Sequence, residues 1–192
     1  SCGSYSDLTI KNSIIKNSHA GSNGGGINSN RSNLFLDSVI FTGNSSPGAG
    51  SINAGTTDES IIVDININNC TFSDNYSEGT TAGAQLGWGP SEVFISNSTF
   101  ENNNSYKCAP FRIYSDFEID SCVINNNYSE SHSGGGAIFG PSTGFIKNSI
   151  FSTTSVDESN PNGNTGGLLT GASSNVYFTT CTFVHNPSMP PG

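Results

Sequence analysis

Asp116, Glu118 and Asp120 alternate along one short stretch, and alternation along a strand puts all three carboxylates on one face. A row of carboxylates on an outer sheet face is what acid–base cleavage of polysaccharides requires, if two lie close enough to cooperate or a base stands beside a bound cation. No Arg or His is in register beside this row, and His19, His132 and His185 are scattered. Asp37 and Asp120 occupy equivalent positions of the repeat described below, but three coils apart. The expectation is a solvated acidic face with no catalytic residues, hence no enzyme. Asp58-Glu59-Ser60 and Asp157-Glu158-Ser159 suggest calcium loops. The first precedes a strand and the second follows one, so they belong to different corners and no metal site is expected. No CxxC is present, which argues against zinc, and no cofactor motif is found, so no cofactor is expected.

Aromatic residues offer a second chemistry. Trp88 sits in Gly87-Trp88-Gly89-Pro90, read as a turn after a strand and open to solvent. Tyr76 and Tyr128 lie in two copies of Asn-Tyr-Ser-Glu, with Tyr106 in the coil between. Exposed rings stack on sugars or on another subunit, so Trp88, Tyr76, Tyr106 and Tyr128 are candidate contact residues. The alternative is that each tyrosine packs over its own turn. Glycosylation sequons occur at Asn30, Asn44, Asn69, Asn75, Asn97, Asn103 and Asn127. Asn30, Asn69 and Asn97 fall on a loop or an outer bend, which makes them the glycosylation candidates if the source has a eukaryotic secretory pathway. In a bacterial chain the sequons mean little.

These residues must be positioned by a chain in which Asn, Ser, Thr and Gly account for 96 of 192 residues. Only 11% are charged, yet there are 12 Phe, a combination unlike intrinsic disorder. Ala, Leu, Glu, Lys and Arg are scarce, which disfavours helices. Apolar runs are no longer than three residues, too short to span a membrane as a helix. A net charge of -9 argues against nucleic acid and anionic lipid as partners.

One register aligns seven segments, beginning at Ile10, Leu36, Ile67, Ile95, Ile119, Ile146 and Phe178, with a mean spacing of 28 residues. An apolar residue stands two positions earlier in each, Gly144 excepted. Three positions on, the residue is small: Ser13, Val39, Cys70, Ser98, Cys122, Ser149 or Cys181. Five on comes the core stack of Phe41, Phe72, Phe100, Ile124, Phe151 and Phe183, with Ile15 at its head. Eight on come Asn44, Asn75, Asn103, Asn127 and Asn186, with Ser18 and Thr154 in the other two. Between the segments runs a second motif, GGGI at 24–27, AGSI at 49–52, AGAQL at 82–86, GGAI at 135–138 and GGLL at 166–169, with APFRI at 109–113 deviating. Alternating apolar positions over four to six residues make strands with one buried face, and a fixed period of this length makes a solenoid. Like residues must then stack from coil to coil, the phenylalanines as core and the asparagines as an amide ladder. Seven coils give a rod roughly 34 Å long at the strand spacing.

The pairing of Gly135-Gly136-Ala137-Ile138 with FxxN tetrapeptides at Phe41/Asn44, Phe72/Asn75, Phe100/Asn103 and Phe183/Asn186, and a near match at Ile124/Asn127, resembles the repeat of chlamydial polymorphic outer-membrane proteins. The resemblance covers nearly the whole chain. It implies an all-β, right-handed, single-stranded parallel β-helix of about seven coils, of the passenger type found in surface proteins. It marks the coil and names no activity.

Five cysteines cannot all pair. Cys70, Cys122 and Cys181 alternate with serines in one inward column, so neighbouring thiols are two coils apart, roughly 9.6 Å and beyond disulfide reach. Cys2 and Cys108 lie outside that column, exposed or paired. The domain is read as residues 1–186. Residues 187–192, Pro-Ser-Met-Pro-Pro-Gly, are read as a tail or linker that ends strand pairing. The functional expectation is a non-enzymatic, extracellular or cell-surface structural module of an appendage or fibre, with other copies or other chains of that fibre as partners. An adhesin binding host or matrix glycans or proteins is the alternative, and a polysaccharide-active enzyme the third reading.

Overall fold

The structure, a computed structural model, describes residues 6–157, 165–186 and 188–189. Among them every regular element is a β-strand, and the strands stack in parallel into three sheets. Sheet I contains twelve strands, and sheets II and III contain six each. A single coil shows the path. Val63–Asn68 and Thr71–Ser73 lie in sheet I, Tyr76–Ser77 in sheet II and Ala84–Trp88 in sheet III, and Ser91–Ser96 re-enters sheet I one rung further on. Sheet I runs from Asp7–Lys16 to Asn175–Thr179 over seven rungs, so the chain winds about six turns of a parallel β-solenoid.

The pairing register reproduces the repeat. Ile10 pairs with Leu36, Leu36 with Ile67, Ile67 with Ile95, Ile95 with Ile119, Ile119 with Ile146, and Ile146 with Phe178. The terminal segment differs from the reading as a tail. Ser188–Met189 form a short strand beside Ser155–Asp157, so sheet II continues past residue 186. A proline flanks this pair rather than interrupting it, which leaves its backbone free to pair. The remainder of 187–192 lies outside the described residues.

Two left-handed residues per coil turn the chain. The first column is Asn12, Ser38, Asn69, Asn97, Ser121, Asn148 and Thr180, with φ from 48 to 57°. The second is Asn17, Gly43, Asp74, Asn102, Asn126, Thr153 and His185, with φ from 45 to 63°. A side chain normally costs energy at positive φ, and short polar residues tolerate it best. Much of the asparagine content therefore serves the bends.

The interior is filled column by column. Phe41 stacks on Phe72 with ring centroids 4.9 Å apart, and Phe72 on Phe100 at 4.5 Å, both within a few degrees of coplanar. Ile124 interrupts the phenylalanines between Phe100 and Phe151. The reason lies in the same coil, which carries two further buried rings, Phe111 and Phe117. Each ring occupies space that the next coil vacates with a glycine. A Cβ on Gly136 would stand 2.6 Å from the Phe111 ring, and one on Gly144 would stand 2.5 Å from the Phe117 ring. The deviant APFRI motif with Gly136, and Phe117 with the exceptional Gly144, are thus two exchanges of volume between the same two coils, as close packing demands. Phe183 stacks on Phe151 at 4.8 Å but is 47% exposed. It is the last described member of the stack, exposed because no rung covers it among the described residues.

Candidate functional site

The asparagine column is a hydrogen-bonded ladder. The side-chain nitrogen of Asn44 donates to Oδ1 of Asn75 at 3.2 Å, that of Asn75 to Asn103 at 2.9 Å, and that of Asn103 to Asn127 at 2.9 Å. Each Oδ1 also accepts the backbone N–H of the preceding coil's ladder residue, from Ser18 to Asn44 and on to Asn103 with Asn127. Each nitrogen donates a second bond to the carbonyl of the preceding coil's core residue, Ile15, Phe41, Phe72 or Phe100. Asn44, Asn75, Asn103 and Asn127 are fully buried. Asn186 takes the same pose, accepting from the N–H and Oγ1 of Thr154 and donating to the carbonyl of Phe151.

The cysteine column has a related role. The thiols of Cys70, Cys122 and Cys181 donate to the carbonyls of Asn68, Asp120 and Thr179, two residues back across the first bend. Ser13, Ser98 and Ser149 make the same bond through Oγ. These thiols are free and stitch a corner. Burial pushes the Cys122 thiol up to about 11, against backbone N–H bonding that favours the thiolate, and it raises Cys70 as well. Cys108 is neither exposed nor paired. It is fully buried and unbridged in a column with Ala49, Thr81, Ser133 and Thr165. Burial pushes its thiol up to about 12, although Arg112 and Lys107 pull the other way. The expectation that it is exposed or paired missed this column because its residue types are mixed. Cys2 lies outside the described residues.

The contact aromatics do not form one strip. Tyr76 and Tyr128 share a column, separated by Asn104, and Tyr106 stands two residues beyond that column. Tyr76 and Tyr106 are exposed and Tyr128 half-buried. Tyr76 borders a shallow depression of about 160 Å³ with His19, Ser45, Pro47 and Glu78. Burial raises the Tyr128 phenol, aided by the charges of Asp157 and Glu130. Trp88 ends a strand, half-buried, instead of lying open in a turn. Its ring packs on Gly55, and its Nε1 donates to Oδ1 of Asn53 at 3.1 Å. Of the sequon residues outside the ladder, Asn30, Asn69 and Asn97 are exposed. Asn69 and Asn97 are the left-handed bend residues, and each spends one amide hydrogen on a neighbour, Ser38 Oγ and Asn68 Oδ1 respectively.

The carboxylate row is exposed to half-buried, and each member has a partner. Asp116 accepts the N–H of Thr143 at 2.7 Å. Glu118 pairs with Lys147 at 3.1 Å. Asp120 accepts from Ser121 Oγ and from Asn148 Nδ2. Asp58 is engaged by Ser60 and Arg31, which hold its carboxyl down at about 2, so that loop closes on itself and onto the preceding coil. Glu158 and Ser159 of the second acidic triplet lie outside the described residues. Beside the carboxylate row, the outer face of sheet I holds a depression of about 270 Å³ walled by Phe94 and Phe145, with Glu92, Asp116 and Glu118 around it. Phe145 also stacks on Tyr177 of the next rung, with centroids 5.3 Å apart.

A basic cradle on sheet III went unnoticed in the sequence. The Arg112 guanidinium lies over Tyr114 and Phe139, with ring centroids at 5.2 and 4.7 Å. His132 is held below its ordinary value, first by burial and then by the charges of Lys107 and Arg112. The only available signal was the APFRI deviation, since Phe139 belongs to another coil.

Over 128 residues, 66% of this chain and 10% of the relative, the sequence is 31% identical to Probable autotransporter YfaL of Escherichia coli (strain K12). The chain spans about a tenth of the length of that curated relative. No family model and no solved structure matches it.

Proposed function

We propose that this chain is a surface-exposed, non-enzymatic rod segment of the passenger type, working as a structural part of a cell-surface appendage or fibre. The observation that carries the reading is the continuous stacking. Three sheets, a phenylalanine stack and a buried amide ladder all run along one axis, so axial load is shared by backbone and side-chain bonds in every coil. The likeness to an autotransporter over two thirds of the chain supports display outside the cell. Engagement of Asp116, Glu118 and Asp120 in local bonds supports a role without catalysis. The partners on this reading are other copies, or other chains of the same fibre.

The test is negative-stain electron microscopy of natively isolated material. Fibres with an axial repeat near roughly 34 Å, the rod length expected from the strand spacing, or a simple multiple of it, are the expected result. Discrete short rods at the same concentration would sink the fibre reading. A second reading, an adhesin, is favoured by the exposed aromatic depression on sheet I. It requires that an isolated monomer retain binding. Product release from uronate polymers, lost on replacing Asp116 or Asp120, would overturn both readings in favour of an enzyme.

A further inference from the structure

The outer face of sheet I carries an aromatic column that the fold does not need. Phe94 and Phe145 point outward and are 42 and 43% exposed. They occupy the same position on rungs two apart, with Glu118 on the rung between. That spacing is roughly 9.6 Å, room for one flat group with a ring on either side. Glu118, which would otherwise fill the gap, is held by Lys147 at 3.1 Å.

Charge selects what enters. Glu92 and Asp116 pair across adjacent strands beside the gap, and Asp64 precedes them on the same column. Three carboxylates on successive rungs repel one another. Among the described residues the two ion pairs are Arg31 with Asp58 and Lys147 with Glu118, so no described cation pairs with this column. Lys147 shows what the surface accepts. Its Nζ is 5.3 Å from the Phe145 centroid while it holds the Glu118 carboxylate. One wall and one carboxylate are thus served by an internal cation, and the other wall and two carboxylates are not.

We propose that this depression receives an arginine side chain presented by a partner polypeptide, its guanidinium lying between Phe94 and Phe145 and bonding to Glu92 and Asp116. A guanidinium is planar, stacks on aromatic faces and grips a carboxylate with two parallel bonds, whereas an ammonium is more strongly hydrated and does neither as well. The proposal goes beyond the structural reading and does not depend on whether the rod assembles into fibres.

The test titrates the full chain into a fluorescein-labelled peptide of alternating glycine and arginine and reads anisotropy, beside the lysine and glutamine versions of the peptide. Four variants accompany it: Phe94→Ser, Phe145→Ser, Glu92→Gln, and Glu101→Gln as a matched loss of charge away from the depression. The expected result is saturable binding of the arginine peptide, weakened at least tenfold by Phe94→Ser, Phe145→Ser and Glu92→Gln and unchanged by Glu101→Gln. Equal weakening by Glu101→Gln, or no effect of the phenylalanine variants, would reduce the interaction to bulk charge and overturn the site. Equal binding of the lysine peptide would overturn the choice of guanidinium, and displacement by a neutral oligosaccharide would reassign the depression to sugar. Retained thermal unfolding of each variant shows that lost binding is not lost folding. If a phenylalanine variant does not fold, Glu92→Gln against Glu101→Gln decides alone.

Discussion

Individual residues in this solenoid are chosen by their neighbours one coil away. Gly144 breaks an otherwise apolar column because the Phe117 ring fills its place. Gly144→Val alone is expected to destabilise by about 2 kcal/mol, as overpacking does. Combined with Phe117→Val, it should recover the part of that loss due to the ring in urea unfolding, but not the part due to the Phe117 carbonyl oxygen, which a Cβ at 144 would meet at 2.3 Å. An additive double variant would contradict the exchange of volume. The buried thiols give a pH effect of definite sign. Cys108 and Cys122 titrate in the folded chain near 12 and 11, above their ordinary value of 9.0. Between these limits the folded chain holds protons that the unfolded chain has lost. Stability is therefore full below about pH 9 and falls as pH rises, by up to about 1.4 kcal/mol per pH unit for each thiol. Replacing Cys70, Cys108 and Cys122 by Ser should flatten this alkaline decline, and an unchanged slope would refute the assignment. The phenylalanine and asparagine columns were legible because each keeps nearly one residue type. Cys108 and Arg112 were not, since Cys108 shares a column with Ala, Thr and Ser and Arg112 meets a ring from another coil.

At the scale of elements, the strands are short and the corners are specified more tightly than the strands. Every coil uses two left-handed residues, and Gly43 is the single glycine among the fourteen. The sequence placed Asn69 and Asn97 on a loop or outer bend, but it did not resolve two separate bend columns. Bend and ladder asparagines differ only by one position, Asn102 against Asn103 or Asn126 against Asn127. The ladder carries the larger stake. Asn103→Ala would strand the N–H of Asn75, and it would take one bond each from the amide of Asn75, the carbonyl of Phe72 and Oδ1 of Asn127. With unsatisfied buried groups costing about 1–3 kcal/mol each and sharing some relief, a loss of roughly 3 kcal/mol or more is expected. Asn104→Ala, one residue on and exposed, should stay within about 0.5 kcal/mol. Denaturant unfolding of the two variants is the measurement, and equal effects would refute a structural role for the ladder.

For the whole molecule, parallel winding stacks like on like, and that includes like charge. Asp64, Glu92 and Asp116 occupy successive rungs of one column in a chain of net charge -9. Their repulsion is partly screened by salt, since the Debye length shrinks from about 10 Å at 0.1 M to about 3 Å at 1 M. Raising sodium chloride across that range should raise the melting temperature by about 2–4 °C, equivalent to about 1 kcal/mol for a chain of this size. A melting temperature that falls with salt would mean that attractive pairs dominate instead. The architecture was legible at this scale because one period repeats through the chain. The aromatic depression was not, because Phe94 and Phe145 sit on an outward column of mixed residue types, with Asn66, Glu118 and Tyr177 as their neighbours.

The amide ladder has a polarity. Asn75 makes three bonds to the coil before it, accepting from the N–H and the amide of Asn44 and donating to the carbonyl of Phe41, but only one side-chain bond to the coil after it. Each asparagine therefore clasps its own coil to its predecessor, like a zip with a direction. Damage at one tooth should travel backwards. In Asn103→Ala the amide proton of Asn75 loses its acceptor, while that of Asn103 still reaches Asn127. Hydrogen exchange should accelerate at residue 75 and remain slow at residue 103, so the rod unfastens toward its amino-terminal side.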